Sequence, residues 1–439
     1  MVIDEHEQHA HSKWRAARLI PRLQKCSPAV CAALACAGLL YSGLLKPREP
    51  PPFSSLIRTK DVCRISGTIA SNPIKNHARG TYSAVLSVSG AQSKSGASSE
   101  AKGIVSVQIP ARIAESYFPG RLYTAAGRSA RVFCESGARL SLDGAFSSDG
   151  AVFFASSGTQ LPWEATLRGR LRHFRALCRL QFRRLLYSWG DAGGLLLALL
   201  SGIREYTEDG ISDSFRRAGL SHILALSGMH LSLFSGLAAS LGKKIGRRAS
   251  YVLQFLAVCA FVWFAGCSPS LLRAFLCNML LLAASLCHAV PLKMSDVLAA
   301  AFLLHAAIAP QDLHQAAFLL SYCALAGILL FGESASSIAE RWLPPSVAAS
   351  IGTSAGAQAL SIPISARLFG VVSPIGIIST AVVSPLIALF LYAGLFWLAL
   401  CLCVPFFRPP AAFFMNIVYT AIKCTAQLFA AVPCISFRS

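Results

Sequence analysis

From about residue 185 onward, apolar runs follow one another with only short polar breaks, and this limits the chain more than any other feature. A stretch of about 18 or more apolar residues with few charges matches the hydrocarbon core of a bilayer and reads as a spanning helix. Candidate spans are 27–45, 190–203, 219–241, 250–266, 271–290, 296–310, 313–332, 345–362, 371–400 and 411–434. Several are short or interrupted. The expected fold is therefore a polytopic α-helical membrane protein with about 8–10 transmembrane helices. Composition agrees: only 14% of residues are charged, against about 25% in an average soluble protein.

Residues 1–26 form a basic tail, with Arg15, Arg18, Arg22 and Lys25 ahead of the first span at 27–45. Cations flank spans on the cytoplasmic side. The tail is thus expected in the cytoplasm and the protein in the cytoplasmic (inner) membrane. His6, His9 and His11 read as part of a disordered tail rather than a metal site. The net charge of +20 fits cation-flanked spans. Because the arginines cluster, it also fits an anionic partner.

A proline-rich linker, 46–54, leads into a region of different character at 55–160. Val62–Ile65, Tyr82–Val88, Ile104–Ile109 and Leu140–Leu142 alternate apolar and polar residues, which is the period of half-buried strands. Four to six such strands in about 100 residues predict a small β-barrel or sandwich, placed outside the cytoplasm by the span before it. Gln92–Lys102, rich in Ser and Gly, reads as a flexible loop. Cys63 and Cys134 are the cysteines of this polar region. They are a possible disulfide if it faces an oxidising space, and otherwise two free thiols. No CxxC occurs, so no zinc site is expected.

Residues 164–186 form a basic amphipathic helix. Leu167, Leu171, Phe174, Cys178, Phe182 and Leu185 share one face, and Arg168, Arg172, Arg175, Arg179 and Arg183 follow one step round. Such a helix rests on a membrane surface with its apolar face in the headgroup region. Arginines one helical turn apart also match a phosphate backbone. Both contacts, DNA and membrane surface, stay open at this point.

Residues 187–439 hold costly polar exceptions within apolar sequence. Gly219-Leu220-Ser221-His222 is followed by Ser227-Gly228-Met229-His230. On one continuous helix, His222 and His230 fall roughly 80° apart, on the same side. Polar groups in lipid face a bundle interior or a wet cavity, or bond between helices. Arg273 follows Ser268-Pro269-Ser270-Leu271-Leu272, and Ser321 follows Ala317-Phe318-Leu319-Leu320. Gln358 opens a stretch reaching Phe369-Gly370 and Ser384-Pro385. Pro363, Pro374 and Pro385 suggest broken helices.

These four ordered motifs resemble the core of the ComEC competence family, with Met229 for the family's Leu and Ser379 at its usual Asn. The resemblance implies a ComEC-type transmembrane domain at 187–439 and an extracytoplasmic OB-like domain at 55–160. It also implies a channel that carries single-stranded DNA across the cytoplasmic membrane during natural transformation. Ser221, His222, Ser227, Gly228, His230, Arg273, Ser321 and Gln358 would line or shape that path. Partners expected on this basis are single-stranded DNA, membrane lipid, a separate nuclease and an ATP-driven helicase. Many family members carry a metallo-β-lactamase-like domain after the membrane region. No His-x-His-x-Asp-His cluster occurs in this sequence, so that nuclease chemistry is not expected of it. No carboxylate accompanies Ser227 and His230, so no catalytic residue, enzyme activity, cofactor or metal is expected. The alternatives are a transporter of another anion or polymer on the same fold, or a non-conducting remnant.

Overall fold

A computed structural model describes residues 27–42, 51–76, 79–116, 134–226, 228–287, 292–433 and 435–436. The basic tail with its three histidines and Ser227 lie outside the described residues.

Five strands build a closed barrel: β1 (Val62–Ile69), β2 (Thr81–Ser93), β3 (Ile104–Pro110), β4 (Arg139–Phe146) and β5 (Val152–Gln160). β1 pairs with β2 and β4, β2 with β3, and β4 with β5, all antiparallel. A parallel pairing of β3 with β5 completes the ring. The four alternating sequence runs lie inside β1 to β4. Their inward positions, including Ile65, Leu86, Val107 and Leu140, are fully buried together with Phe153 of β5. Gln92–Lys102 is a hairpin, not a loose loop. Ser98–Lys102 is a strand that pairs Gln92 with Ser98 and also holds Ser54–Ser55. Gly96, at φ 85°, makes its turn.

Cys63 and Cys134 both stand as free thiols in this structure. Cys63 Sγ donates to the Gln92 carbonyl at 3.4 Å, whereas Cys134 is buried in the barrel core.

Thirteen helices matter here: α1 (Pro28–Tyr41), α2 (Leu167–Tyr187), α3 (Gly190–Ser201), α4 (Ile211–Arg217), α5 (Ser221–Leu224), α6 (Gly228–Lys243), α7 (Arg247–Ala265), α8 (Pro269–Leu286), α9 (Met294–Ile308), α10 (Ala316–Ala339), α11 (Pro345–Phe369), α12 (Gly376–Cys403) and α13 (Arg408–Ala430). Among the described residues, five are long and apolar enough to cross a membrane: α7, α8, α10, α12 and α13. The 18 residues of α8 rise about 27 Å at 1.5 Å each, close to the hydrocarbon thickness. α1, α3 and α9 are apolar but shorter. The protein is a multi-pass membrane protein.

Its largest core lies where α3, α12 and α13 meet, around Leu195, Leu196, Phe390, Leu391 and Met415. α3 is buried on all sides from Ala192 to Ser201. The prolines do not break the helices they sit in: α11 runs through Pro363 and α12 through Pro385, while Pro374 lies just before α12 begins.

α2 reverses the expected orientation of its basic face. Leu167, Leu171 and Phe174 are exposed, while Arg179 and Arg183 are buried at 2% and 4% exposure. Both pair with Glu135, Arg179 Nε at 3.1 Å from Oε2 and Arg183 to Oε1. Arg179 Nη1 also donates to the carbonyls of Phe264 (3.1 Å) and Ser201 (3.3 Å). Arg175 Nε donates to Phe264 at 3.3 Å. The last carbonyls of a helix lack intrahelical partners and carry its negative dipole end. The arginines satisfy those of α7 and α3, so Arg175, Arg179 and Arg183 are a structural clamp rather than a surface for DNA or lipid. Arg168 remains exposed and Arg172 half-buried.

Candidate functional site: a broken helix between four motifs

The segment Gly219–Gly228 does not continue as one helix. Gly219 sits at φ 76°, in the left-handed region that suits glycine. α5 is a single turn, and Ala225 is extended (φ −79°, ψ 140°) before α6 starts at Gly228. The helical phase argument for His222 and His230 therefore fails. His222 on α5 is exposed and hydrogen-bonded to the backbone of Gly219, whereas His230 on α6 is buried at 1% exposure.

A break leaves carbonyls without helical partners, and in an apolar setting each unsatisfied one is expensive. Side chains from elsewhere meet two of them. Arg204 Nη2 donates to the Leu224 carbonyl at 2.9 Å, and Ser270 Oγ donates to the Leu226 carbonyl at 2.7 Å. The Ser268-Pro269-Ser270 motif gains a physical meaning here. Ser268 caps α8 by accepting from the Leu271 amide at 3.4 Å. Pro269 takes the first helical position, where its missing N–H costs nothing. Ser270 then reaches across to the break.

Arg273, one turn further along α8, donates from Nη1 to the carbonyl of Ser321 on α10 at 2.9 Å. It also faces the start of α6: a β-carbon on Gly228 would lie 3.7 Å from Arg273 Nη2 and 3.5 Å from Ala274 Cβ. Gly228, Arg273 and Ser321 are thereby brought together, Ser321 through its backbone.

The other end of the break rests on the fourth motif. Ser379 Oγ, fully buried, donates to the Ala218 carbonyl at 2.6 Å. Ser373 Oγ donates to the Arg217 carbonyl, also at 2.6 Å. Gly219 lies against Gly376, beside which stands Gln358 Nε2. Gln358 thus joins the Gly219 end and Arg273 the Gly228 end. The side chain of Ser221 is exposed.

Sequence reasoning missed Arg204, Ser270, Ser373 and Ser379 as partners of the break. Ser270 carried a signal as part of a Ser-Pro-Ser cap, and Ser379 as the residue standing at the family's usual Asn. Tyr82 of β2 is buried at 6% exposure and donates its hydroxyl to Glu205 Oε2 at 3.3 Å.

Residues 199–438 match the family described as competence protein. The chain is also similar to ComE operon protein 3 of Bacillus subtilis (strain 168), at 28% identity over 142 residues. That match covers 32% of this chain and 18% of the relative. No solved structure matches.

Proposed function

Because the chain belongs to the competence protein family, we propose that it conducts one strand of DNA across the cytoplasmic membrane during natural transformation. The observation that carries this reading is the break at Gly219–Gly228, held by Arg204, Ser270, Ser373 and Ser379. Irregular backbone at membrane depth occurs where it is buried in protein or lines a cavity. Discontinuous helices form the binding sites of many transporters. Here the break collects short hydroxyls and two guanidiniums, and His222 stands exposed beside it. A strand with one charge per nucleotide needs such groups: enough to offset lost hydration, too few to hold it fast.

The barrel supports the same reading. We read its ring order, β1-β2-β3-β5-β4, and its single parallel closure as supporting an OB-like fold, a scaffold that binds oligonucleotides. We place it on the outer face of the membrane, with the N-terminal tail in the cytoplasm. Arg168 and Arg172 are the members of the α2 row left for a phosphate or a lipid headgroup. We read the chain as a conduit and not an enzyme, working with a separate nuclease and an ATP-driven helicase.

The test is uptake of labelled DNA into a nuclease-protected cytosolic pool, in a strain lacking the gene and in the same strain carrying this chain. Uptake should vanish in the first and return in the second. Unchanged uptake after deletion overturns the proposal.

A further inference from the structure

The turn between α6 and α7 concentrates positive charge. Lys243, Lys244, Arg247 and Arg248 are all exposed, with exposed Ile245 between the two pairs. No Asp or Glu occurs in the sequence between Asp213 and Asp296. Among the described residues, none of the four cations forms an ion pair. Arg247 and Arg248 open the first turn of α7, which holds no acidic residue and receives no side-chain cap from Gly246. That is the positive end of the helix dipole, where negative charge is the stabilising sign. The two arginines therefore stand where an anion, once bound, relieves an unfavourable placement.

The hairpin fixes where this charge sits. Gly242 packs against the Ser250 backbone, and Ser250 Oγ donates to the Ala239 carbonyl at 3.2 Å. Further along, Ser235 Oγ donates to Gln254 Oε1 at 3.4 Å, and the rings of Phe234 and Phe261 stack at 4.4 Å. α6 and α7 thus run side by side in opposite directions. The far end of α7 meets the barrel: Asn72, between β1 and β2, donates from Nδ2 to the Ala265 carbonyl at 3.2 Å. The 19 residues of α7 rise about 28 Å, the depth of a bilayer core. The basic turn and the barrel therefore lie at opposite ends of a span. α6 starts at the break and ends in the turn. Along it Ser232, Gly236, Ser240 and Lys243 are exposed and fall within about 80° of one another. A β-carbon on Gly236 would meet nothing within 4 Å. A polar face thus leads from the break toward the four cations.

We propose that the α6–α7 turn binds the phosphates of single-stranded DNA on the face opposite the barrel, as the exit-side contact of the conduit. Its place in the path rests on the channel reading; the binding itself does not. Arg247 Nε donates to the Tyr251 hydroxyl at 3.4 Å, which sets an aromatic ring beside the guanidinium. Cations that track a backbone, with a ring on which a base can stack, suit a single strand, whereas a lipid headgroup asks for charge alone. The packed ends of α6 and α7 hold the turn in shape, so little ordering is needed when a strand arrives. Because the cations are exposed, salt screens them beyond about 8 Å. Their grip is short-ranged and reversible, so a strand can be passed on rather than trapped.

The test titrates the full chain, in phosphatidylcholine nanodiscs, with a fluorescent oligothymidylate over a range of salt. The comparison is a variant carrying Lys243→Gln, Lys244→Gln, Arg247→Gln and Arg248→Gln. Affinity for a single strand falls with salt by a log–log slope of about 0.7 per phosphate neutralised. The variant should bind at least about tenfold more weakly, with a slope shallower by roughly 2–3. Arg247→Lys with Arg248→Lys keeps the charges and should keep the wild-type slope. Equal affinity and slope in wild type and the glutamine variant, the result if the cations serve lipid headgroups only, overturns the proposal. If that variant does not fold, Lys243→Gln with Lys244→Gln replaces it, and a slope that does not fall by about 1.4 overturns the proposal instead. No transport is measured here, so failure of this titration and failure of the uptake experiment are separate results.

Discussion

Gly219 and Gly376 touch backbone to backbone: a β-carbon added to Gly219 would lie 2.7 Å from the Gly376 Cα. The contact seats the broken helix on the start of α12. Its two sides are not equivalent. Gly219 is at φ 76°, so any side chain there is strained as well as crowded. A β-carbon on Gly376 would instead meet the end of a flexible side chain, Gln358 Nε2, at 2.9 Å. Gly219→Ala should therefore destabilise by about 1–3 kcal/mol or more, and Gly376→Ala by clearly less. Melting temperatures of the two solubilised variants check the order; equal losses would contradict it.

Arg273→Gln keeps an N–H donor for the Ser321 carbonyl while removing the charge beside Gly228. If the charge serves an anionic cargo, protein level in the membrane should hold while DNA uptake falls at least about tenfold, the equivalent of ~1.4 kcal/mol in a barrier. Immunoblots of membranes and uptake counts, taken together, check this. Full uptake by the variant would make Arg273 a packing residue.

Glu135 is the hub of the α2 clamp. Burial pushes its carboxyl pKa up, but the guanidiniums of Arg183, Arg179 and Arg175 outweigh that and hold it below its ordinary value. Because folding lowers this pKa, the stabilisation is complete above the ordinary value of 4.5 and is lost as pH falls through the lowered one. Glu135→Gln removes the carboxylate that pairs with two buried guanidiniums and should cost roughly 3–5 kcal/mol. The expected readout is protease cutting near residues 161–166 at neutral pH in the variant, and only in strong acid in the wild type.

Both barrel cysteines should alkylate in denatured, unreduced protein, because neither is bonded to the other. Mass spectrometry of the peptides holding Cys63 and Cys134 reads this directly. A mass two hydrogens short, restored by reductant, would contradict the structure.

The strands and the apolar helices were legible because alternation and run length are local. The motifs were legible as words but not as contacts. Nothing in Gly219-Leu220-Ser221-His222 says that its helix lasts one turn, because the break depends on Gly376, Ser373 and Ser379, more than 150 residues away. The arginine row of α2 was visible as a face, yet periodicity does not say which face points inward. That depended on Glu135 and on the carbonyl ends of α7 and α3.

α1 is capped by Ser27, whose hydroxyl donates to Asp296 Oδ1 at 2.6 Å across 269 residues of sequence. Chains are made at about 5–20 residues per second. The first helix therefore waits roughly 15–50 s after its own synthesis before its docking partner exists. During that interval it must be sheltered by the insertion machinery or by lipid. The timetable of translation thus sets the order of assembly: the N-terminal helix joins the bundle after its middle helices.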